Sequence, residues 1–326
     1  MNVHPTRARI ATICQPHRFC HTVEENRELV LGLLDRALSF RPDLVCLPET
    51  FVTIGVPSET SHAETVPGPT IDAVAARARA HRCYVVCPLF TRRDGVIYNS
   101  AVVIGREGEI VGIYDKRWPV TTSHDYTVFE RGVTPGTGDG LFDLDFGRIG
   151  IRICFDAIFP EEWVTLAQGG AQLVLWPSAY DGGATLSGYA LQHGFWVMTS
   201  VSSQRSRIID PNGETVAQTD LLVNIAVRDI NLDFAVCHYD FNWGMAERIM
   251  ADYADRVQIH SHWDAANFRI EPTDPTVTTK ALLVEYGLET IETYRQRHRD
   301  AQEAMRRGEV PEPQAAAHGD RPMYAK

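Results

Sequence analysis

"IRICFDAIFPEEW", residues 151–163, joins two patterns in one short stretch. Alternating β-branched residues run into Cys154. Phe159-Pro160-Glu161 then reads as the opening of a helix, since Pro suits the first helical turn and acidic side chains favour its positive end. The stretch is therefore a strand, a turn and a helix, with a cysteine at the turn. A thiol acts as a nucleophile through its thiolate, and an ordinary cysteine, with a pKa near ~8.5, is only slightly ionised at neutral pH. A strand-to-helix elbow lifts the sulfur above the end of a sheet and sets backbone N–H groups beside it, aimed at a developing oxyanion. One cysteine after a strand is equally what a buried core thiol looks like, so its neighbours in the fold have to decide.

The same alternation extends both ways. "RARIATICQP" reads as a strand, and "NRELVLGLLDRALSF" follows with Leu29, Leu33, Leu34, Ala37 and Leu38 at helical spacing. "PDLVCLPE" is a short continuous apolar run, a strand buried on both faces. Pro69 or Thr70 opens a helix after "VPG". "CYVVCPLF" is another buried strand, and "IYNSAVVIGREGEIVGIYDKR" is a hairpin around Arg106-Glu107-Gly108. "GRIGIRICF" is a strand, "PEEWVTLAQGGA" a helix and "QLVLWPS" a strand. "GYALQHGFWVMTSVSS" is a helix running into a strand, "SRIIDPNGETVAQT" a second hairpin and "LLVNIAVRDINL" a strand. Strands and helices alternate with hairpins inserted, which predicts an α/β fold of mixed sheets with helices packed outside them.

Past about residue 235 the pattern changes. "HYDFNWGMAERIMADYADRVQIHSHWD" is aromatic-rich and irregular, and "ALLVEYGLETIETYRQRHRDAQEAMRRGE" is helical and highly charged. From about Ala281 it predicts one amphipathic helix carrying Leu282, Tyr286, Leu288, Ile291 and Tyr294, a candidate arm for a subunit interface. The division expected is residues 1–235 for the main domain, 236–300 for a C-terminal extension and 301–326 for a charged, Pro- and Ala-rich tail.

Several classes are set aside. The net charge of −11 over 326 residues argues against nucleic acid as a partner. No stretch approaches the roughly 20 apolar residues of a membrane span. The N-terminus lacks the apolar run of a secretory signal. Seven irregularly spaced cysteines with no C-x-x-C pair read as reduced thiols of a cytoplasmic protein. His260 and His262 could share one strand face, but no third metal ligand accompanies them.

Two further residues match the cysteine chemically. Glu49 follows the buried strand "LVCLP", where a half-desolvated carboxylate becomes a useful general base. Lys116 follows "IVGIYD", where an ammonium can hold an oxyanion and favour thiolate. Their ordinary readings are a turn cap and a solvated loop charge. Three chemically matched residues, each at the end of a core strand, outweigh those readings taken singly.

In these residues the sequence resembles the nitrilase superfamily of carbon–nitrogen hydrolases, which carries Glu, Lys and Cys at strand ends. They match Glu49 in "DLVCLPET", Lys116 in "YNSAVVIGREGEIVGIYDKRWP" and Cys154 in "GIRICFDAIFPEEW". "VPGPT", "GVTPG", "WPSA" and "SRIIDPNGE" match between and after them, over about residues 8 to 232. The resemblance implies an α-β-β-α four-layer sandwich with mixed sheets, here with a C-terminal extension, assembled as a homodimer or larger. It implies Cys154 as nucleophile, Glu49 as general base and acid, Lys116 in the oxyanion site with the Phe155 N–H, and Glu130 in "FERGVTPG" positioning substrate or water. Trp118, Phe155, Ser178 and Ala179 are the candidate substrate contacts. The partner implied is a small molecule, with no cofactor and no metal.

Phe155-Asp156 after the cysteine, where nitrilases tend to have Trp-Glu, lies closer to the amidase-like branches. The reaction expected is hydrolysis of a small amide to a carboxylic acid and ammonia or an amine. The alternatives are a nitrilase, an N-carbamoyl hydrolase, an acyltransferase or a non-catalytic interaction protein. "LSGYALQHGFWVMTS" lacks the Arg-Ala-Arg-Ala-x-Glu-Asn run often found there, so no single branch supplies the substrate.

Overall fold

A computed structural model of the chain describes residues 6–15, 20–240 and 242–312. Residues 313–326 of the expected tail lie outside the described residues, as do residues 1–5 of the N-terminus. The chain divides into two compact units, Met1–Leu232 and Asp233–Lys326.

The first unit repeats one plan twice. In the first half, β1 (Arg7–Ile13), α1 (Val23–Leu38), β2 (Leu44–Cys46), α2 (Pro69–His81) and β3 (Tyr84–Arg93) place three parallel strands side by side. A hairpin of β4 (Val96–Ile104) and β5 (Ile110–Asp115) extends them. In the second half, β6 (Leu141–Leu144), β7 (Gly147–Ile151), α3 (Pro160–Gln168), β8 (Leu173–Ser178), α4 (Gly183–His193) and β9 (Trp196–Val201) do the same, with β7, β8 and β9 parallel. The hairpin of β10 (Arg207–Ile209) and β11 (Thr215–Gln218) completes that sheet, and β12 (Ile225–Asn231) returns to pair antiparallel with β1. The strand orders are β12-β1-β2-β3-β4-β5 and β11-β10-β9-β8-β7-β6. The mixed sheets of the expected sandwich are present, each with its own pair of helices.

The packing follows from the pattern. Thr22 and Glu25 cap α1 reciprocally. Its Leu33, Leu34, Ala37 and Leu38 join Val74 and Ala78 of α2 against Val45 and Val85 of the first sheet. Trp163 and Leu166 of α3 and Leu186 and Ala190 of α4 close over Trp176 and Val197 of the second. Buried hydroxyls tie the sheets across their inner faces. Thr12 donates to the Thr199 carbonyl, and Ser200 Oγ lies 2.8 and 2.9 Å from the Ile13 and Cys46 carbonyls.

The second unit is more regular than its sequence suggests. β13 (Ala235–His238), β14 (Val257–His262) and β15 (Asn267–Pro272) form an antiparallel sheet in the order β13-β15-β14. α5 (Met245–Tyr253), α6 (Thr279–Glu285) and α7 (Ile291–Arg306) accompany it. The single helix expected from Ala281 is two, because Gly287 takes a left-handed φ of 58° between α6 and α7. Leu282, Tyr286 and Leu288, read as part of a candidate arm for a subunit interface, are buried with Phe268 and Ile270 in this unit's own core. Among the described residues, no helix is long and apolar enough to cross a membrane.

Candidate active site

Three loops converge where strands end. Glu49 stands shortly after β2, Lys116 directly after β5 and Cys154 shortly after β7. The strand read through residue 155 stops at Ile151, and Cys154 opens a 3-10 turn to Ile158 before Pro160 starts α3. Cys154 has a φ of 46° and Glu130 a φ of 38°. These left-handed conformations are strained for residues with a Cβ, and such strain concentrates where backbone is held for a purpose.

Lys116 is the hub. Its Nζ donates to Glu49 Oε1 at 2.9 Å and to Glu130 Oε1 at 2.5 Å, and the side chain is 1% exposed. Burial alone would lower its proton affinity. The charges of Glu49, Cys154 and Glu130 outweigh that and raise it, so the ammonium stays charged. The Val120 N–H also donates to Glu130 Oε1, at 3.2 Å. Gly136 of "GVTPG" donates its N–H to the Lys116 carbonyl at 2.8 Å. The motif therefore braces the lysine.

Cys154 faces the same group. Burial pushes its thiol up to about 12, and the Glu49 charge adds to the rise. Lys116, the Ser178 hydroxyl and the Ala179 backbone pull the other way without prevailing. The Lys116 charge thus works towards thiolate, and burial with the Glu49 charge works against it. A base that takes the proton as the bond forms favours attack from such a sulfur. Ser178 is fully buried, so in this state it meets the sulfur rather than solvent. Phe155 and Trp118 are half-buried. The Trp118 indole donates to Glu162 at 2.8 Å and stacks on Phe159 at 3.9 Å, so its orientation is set by the protein.

Four participants escaped the reading of the sequence. Asn99 donates to both Glu49 and Glu130, at 2.9 and 3.0 Å. Asp156 accepts from the Ile153 and Trp118 N–H groups and from the Tyr114 hydroxyl, and burial raises it to about 6. Tyr180 is held up by burial and by the Cys154 charge, and Glu59 by burial against Arg131 and near Glu49 and Glu130. Asn99 had no signal of its own: simple counting back from the Arg106–Gly108 turn would set it opposite Asp115, and the register shift between Val103 and Ile104 brings it to Lys116, whose N–H donates to the Asn99 carbonyl at 2.8 Å. Asp156 sits in the quoted elbow itself. Tyr180 and Glu59 have no local signature.

The other cysteines divide by exposure. Cys46, Cys83, Cys87 and Cys237 are buried and their thiols raised by desolvation, as is Cys14. Cys20 is only half-buried. All seven are unpaired. Among the described residues, no group of three or more His, Cys, Asp or Glu side chains is placed to hold a metal ion.

Comparison with known proteins gives this arrangement a family. The family described as carbon-nitrogen hydrolase matches residues 10–236. The bovine omega-amidase NIT2 is 27% identical over 230 residues, 64% of this chain and 83% of that protein. A Pyrococcus abyssi protein named nitrilase is 35% identical over 162 residues, covering 48% of this chain and 59% of its own length. Among solved structures, Saccharomyces cerevisiae Nit3, of branch 10 of the nitrilase superfamily, has a TM-score of 0.61 at 19% identity, over 71% of this chain and 92% of that one. An amidase from Nesterenkonia sp. has a TM-score of 0.59 at 22% identity, over 69% and 90%. At those identities the structures speak for the fold alone. The family match over most of the chain carries the rest: this protein belongs to the carbon–nitrogen hydrolases of the nitrilase superfamily.

Proposed function

We propose that this enzyme cleaves the carbon–nitrogen bond of a small amide through a thioester on Cys154. The sulfur attacks the carbonyl carbon as Glu49 takes the thiol proton. The Lys116 ammonium and the Phe155 N–H hold the oxyanion. As the tetrahedral intermediate collapses, the C–N bond breaks and Glu49 gives its proton to the leaving nitrogen, releasing ammonia or an amine. Water then attacks the thioester, passing a proton to Glu49. The acyl–sulfur bond breaks, the sulfur recovers its proton from Glu49, and a carboxylic acid leaves. Glu130 orients the substrate or the water. No metal or organic cofactor enters this scheme.

One observation carries the reading. A buried ammonium bonded to two carboxylates stands beside the Cys154 sulfur at a left-handed elbow, so cation, base and nucleophile share one place. The amide is favoured as substrate by Phe155-Asp156 and by the omega-amidase relatives. The unpaired cysteines suit the reducing cytoplasm. Assembly as a homodimer or larger belongs to the same reading, and sedimentation showing only a 36.5 kDa monomer would refute that part.

The test is a panel of small amides, nitriles and N-carbamoyl compounds assayed for ammonia, acid and carbon dioxide. Ammonia and acid from an amide are expected, with turnover abolished in Cys154→Ala. Carbon dioxide release from a carbamoyl compound alone, or acid from a nitrile alone, would move the substrate to that class. A Cys154→Ala enzyme retaining more than a few per cent of the rate would overturn the mechanism.

A further inference from the structure

Two carboxylates and one ammonium leave the Glu49–Lys116–Glu130 group with one negative charge in excess, Glu49 and Lys116 buried and Glu130 partly so. Like charges that close together favour taking up a proton, which would cost the site its base. Hydrogen-bond donors besides Lys116 therefore matter here, and the Val120 N–H supplies one of them to Glu130.

We propose, resting on the reading above, that Asn99 is a positioning residue that keeps Glu49 and Glu130 ionised together and at a fixed separation around Lys116. Among the described residues, its amide is the only neutral side chain that bridges the two, with one hydrogen aimed at Glu49 Oε1 at 2.9 Å and one at Glu130 Oε2 at 3.0 Å. An ionised carboxylate only accepts, so the NH2 end must be the end that faces them. The side chain is 1% exposed, and its Oδ1 has no hydrogen-bond partner among the described residues. A buried acceptor without a partner is a cost. Turning the amide would set an oxygen against two carboxylates, so the orientation is fixed by them. The backbone adds precision, because the Lys116 N–H donates to the Asn99 carbonyl and locks the two residues in register. The charged and titratable groups around the pair are Lys116, Cys154, Glu59 with Arg131 beside it, and Tyr180. Of these, Arg131 and Lys116 are the cations, and the Arg131 charge acts on Glu59.

Iodoacetamide alkylation of Cys154 in the full-length protein tests this without knowledge of the substrate. Modification of the Cys154 peptide is followed by mass spectrometry across about pH 5 to 9. In Asn99→Leu, similar in size and without donors, the acid limb should move up by at least about one pH unit, and amide turnover at neutral pH should fall roughly 10²-fold. Asn99→Asp places a third carboxylate against the pair and should also move the limb up, and it carries the test if Asn99→Leu does not fold. A limb that superimposes on wild type in the folded variants, whatever happens to the melting temperature, would overturn the proposal. If instead wild-type Cys154 shows no pH-dependent alkylation, the mechanism proposed for the enzyme fails, and Asn99 with it.

Discussion

The Trp118 backbone N–H donates to Asp156 Oδ1 at 2.9 Å, which ties the loop after Lys116 to the turn that carries Cys154. The other oxygen of Asp156 accepts from the Ile153 N–H at 2.8 Å and from the Tyr114 hydroxyl at 2.7 Å. One buried carboxylate thus fixes where the nucleophile stands relative to the cation. Asp156→Asn keeps the volume but offers a single oxygen to donors on both sides. One contact must become donor against donor, and the elbow should shift. A displacement of about 1 Å can cost roughly 10²-fold in rate. Steady-state kinetics on a substrate found in the panel should show that fall, while the variant still folds. An unchanged kcat would mean the elbow holds without Asp156.

The same residue makes a prediction about stability and pH. Burial raises Asp156 from 3.8 to about 6 in the folded protein. The folded state then binds a proton between those values where the unfolded chain does not. Its contribution is fully present below about pH 4 and is lost as pH rises through about 6, amounting to about 3 kcal/mol across the window. Other carboxylates act in the opposite sense, so the effect is read as a difference. Denaturant titrations of wild type and Asp156→Asn should show the stability gap tilting in favour of the variant as pH rises from 4 to 6. Parallel curves would place the Asp156 titration outside that range.

Lys116→Met removes the cation and leaves Glu49 and Glu130 facing each other. Breaking a buried ion pair costs about 3–5 kcal/mol because the partner charge is left uncompensated. The variant can relieve this by protonating one carboxylate, so its stability deficit should shrink as pH falls. Turnover should drop by at least the roughly 10²–10³-fold lost with one oxyanion donor. The acid limb of the pH–rate profile should rise. An unchanged limb with a modest rate loss would put Lys116 outside the chemistry.

Much of the first unit was legible because its strands announce themselves. β2, β8 and β9 are buried along their whole length and mostly apolar, and α1 carries both its capping box and its apolar stripe. The three candidate residues were legible because each follows a strand end, after β2, β5 and β7. Asn99 was not, since it lies inside a strand and its role appears only when the hairpin register brings it beside Lys116. The sheet of the second unit was missed for a different reason. β14 reads "VQIHSH", and only Val257 of it is fully buried, so its alternation carries little apolar contrast. The break at Gly287 was visible as a glycine, but an apolar spacing running through it concealed the turn.

"GVTPG" makes the last prediction, because its glycine has a structural reason that involves no φ. A Cβ on Gly136 would lie 2.2 Å from the Asp115 carbonyl oxygen and 2.7 Å from its carbon. Those are backbone atoms of the residue before Lys116, so nothing there can swing aside as a side-chain tip could. Meanwhile the Gly136 N–H holds the Lys116 carbonyl at 2.8 Å. Gly136→Ala must therefore move the end of β5 or break that hydrogen bond, and either displaces the ammonium from Glu49 and Glu130. The variant touches no group assigned to bond making, yet turnover should fall roughly 10- to 100-fold, with a lower melting temperature. Gly138→Ala, two residues on and with open space where a Cβ would go, should have little effect on either measure. The pair separates local packing from general loop sensitivity. If both variants lose activity alike, the close approach at Asp115 is not what holds Lys116 in place.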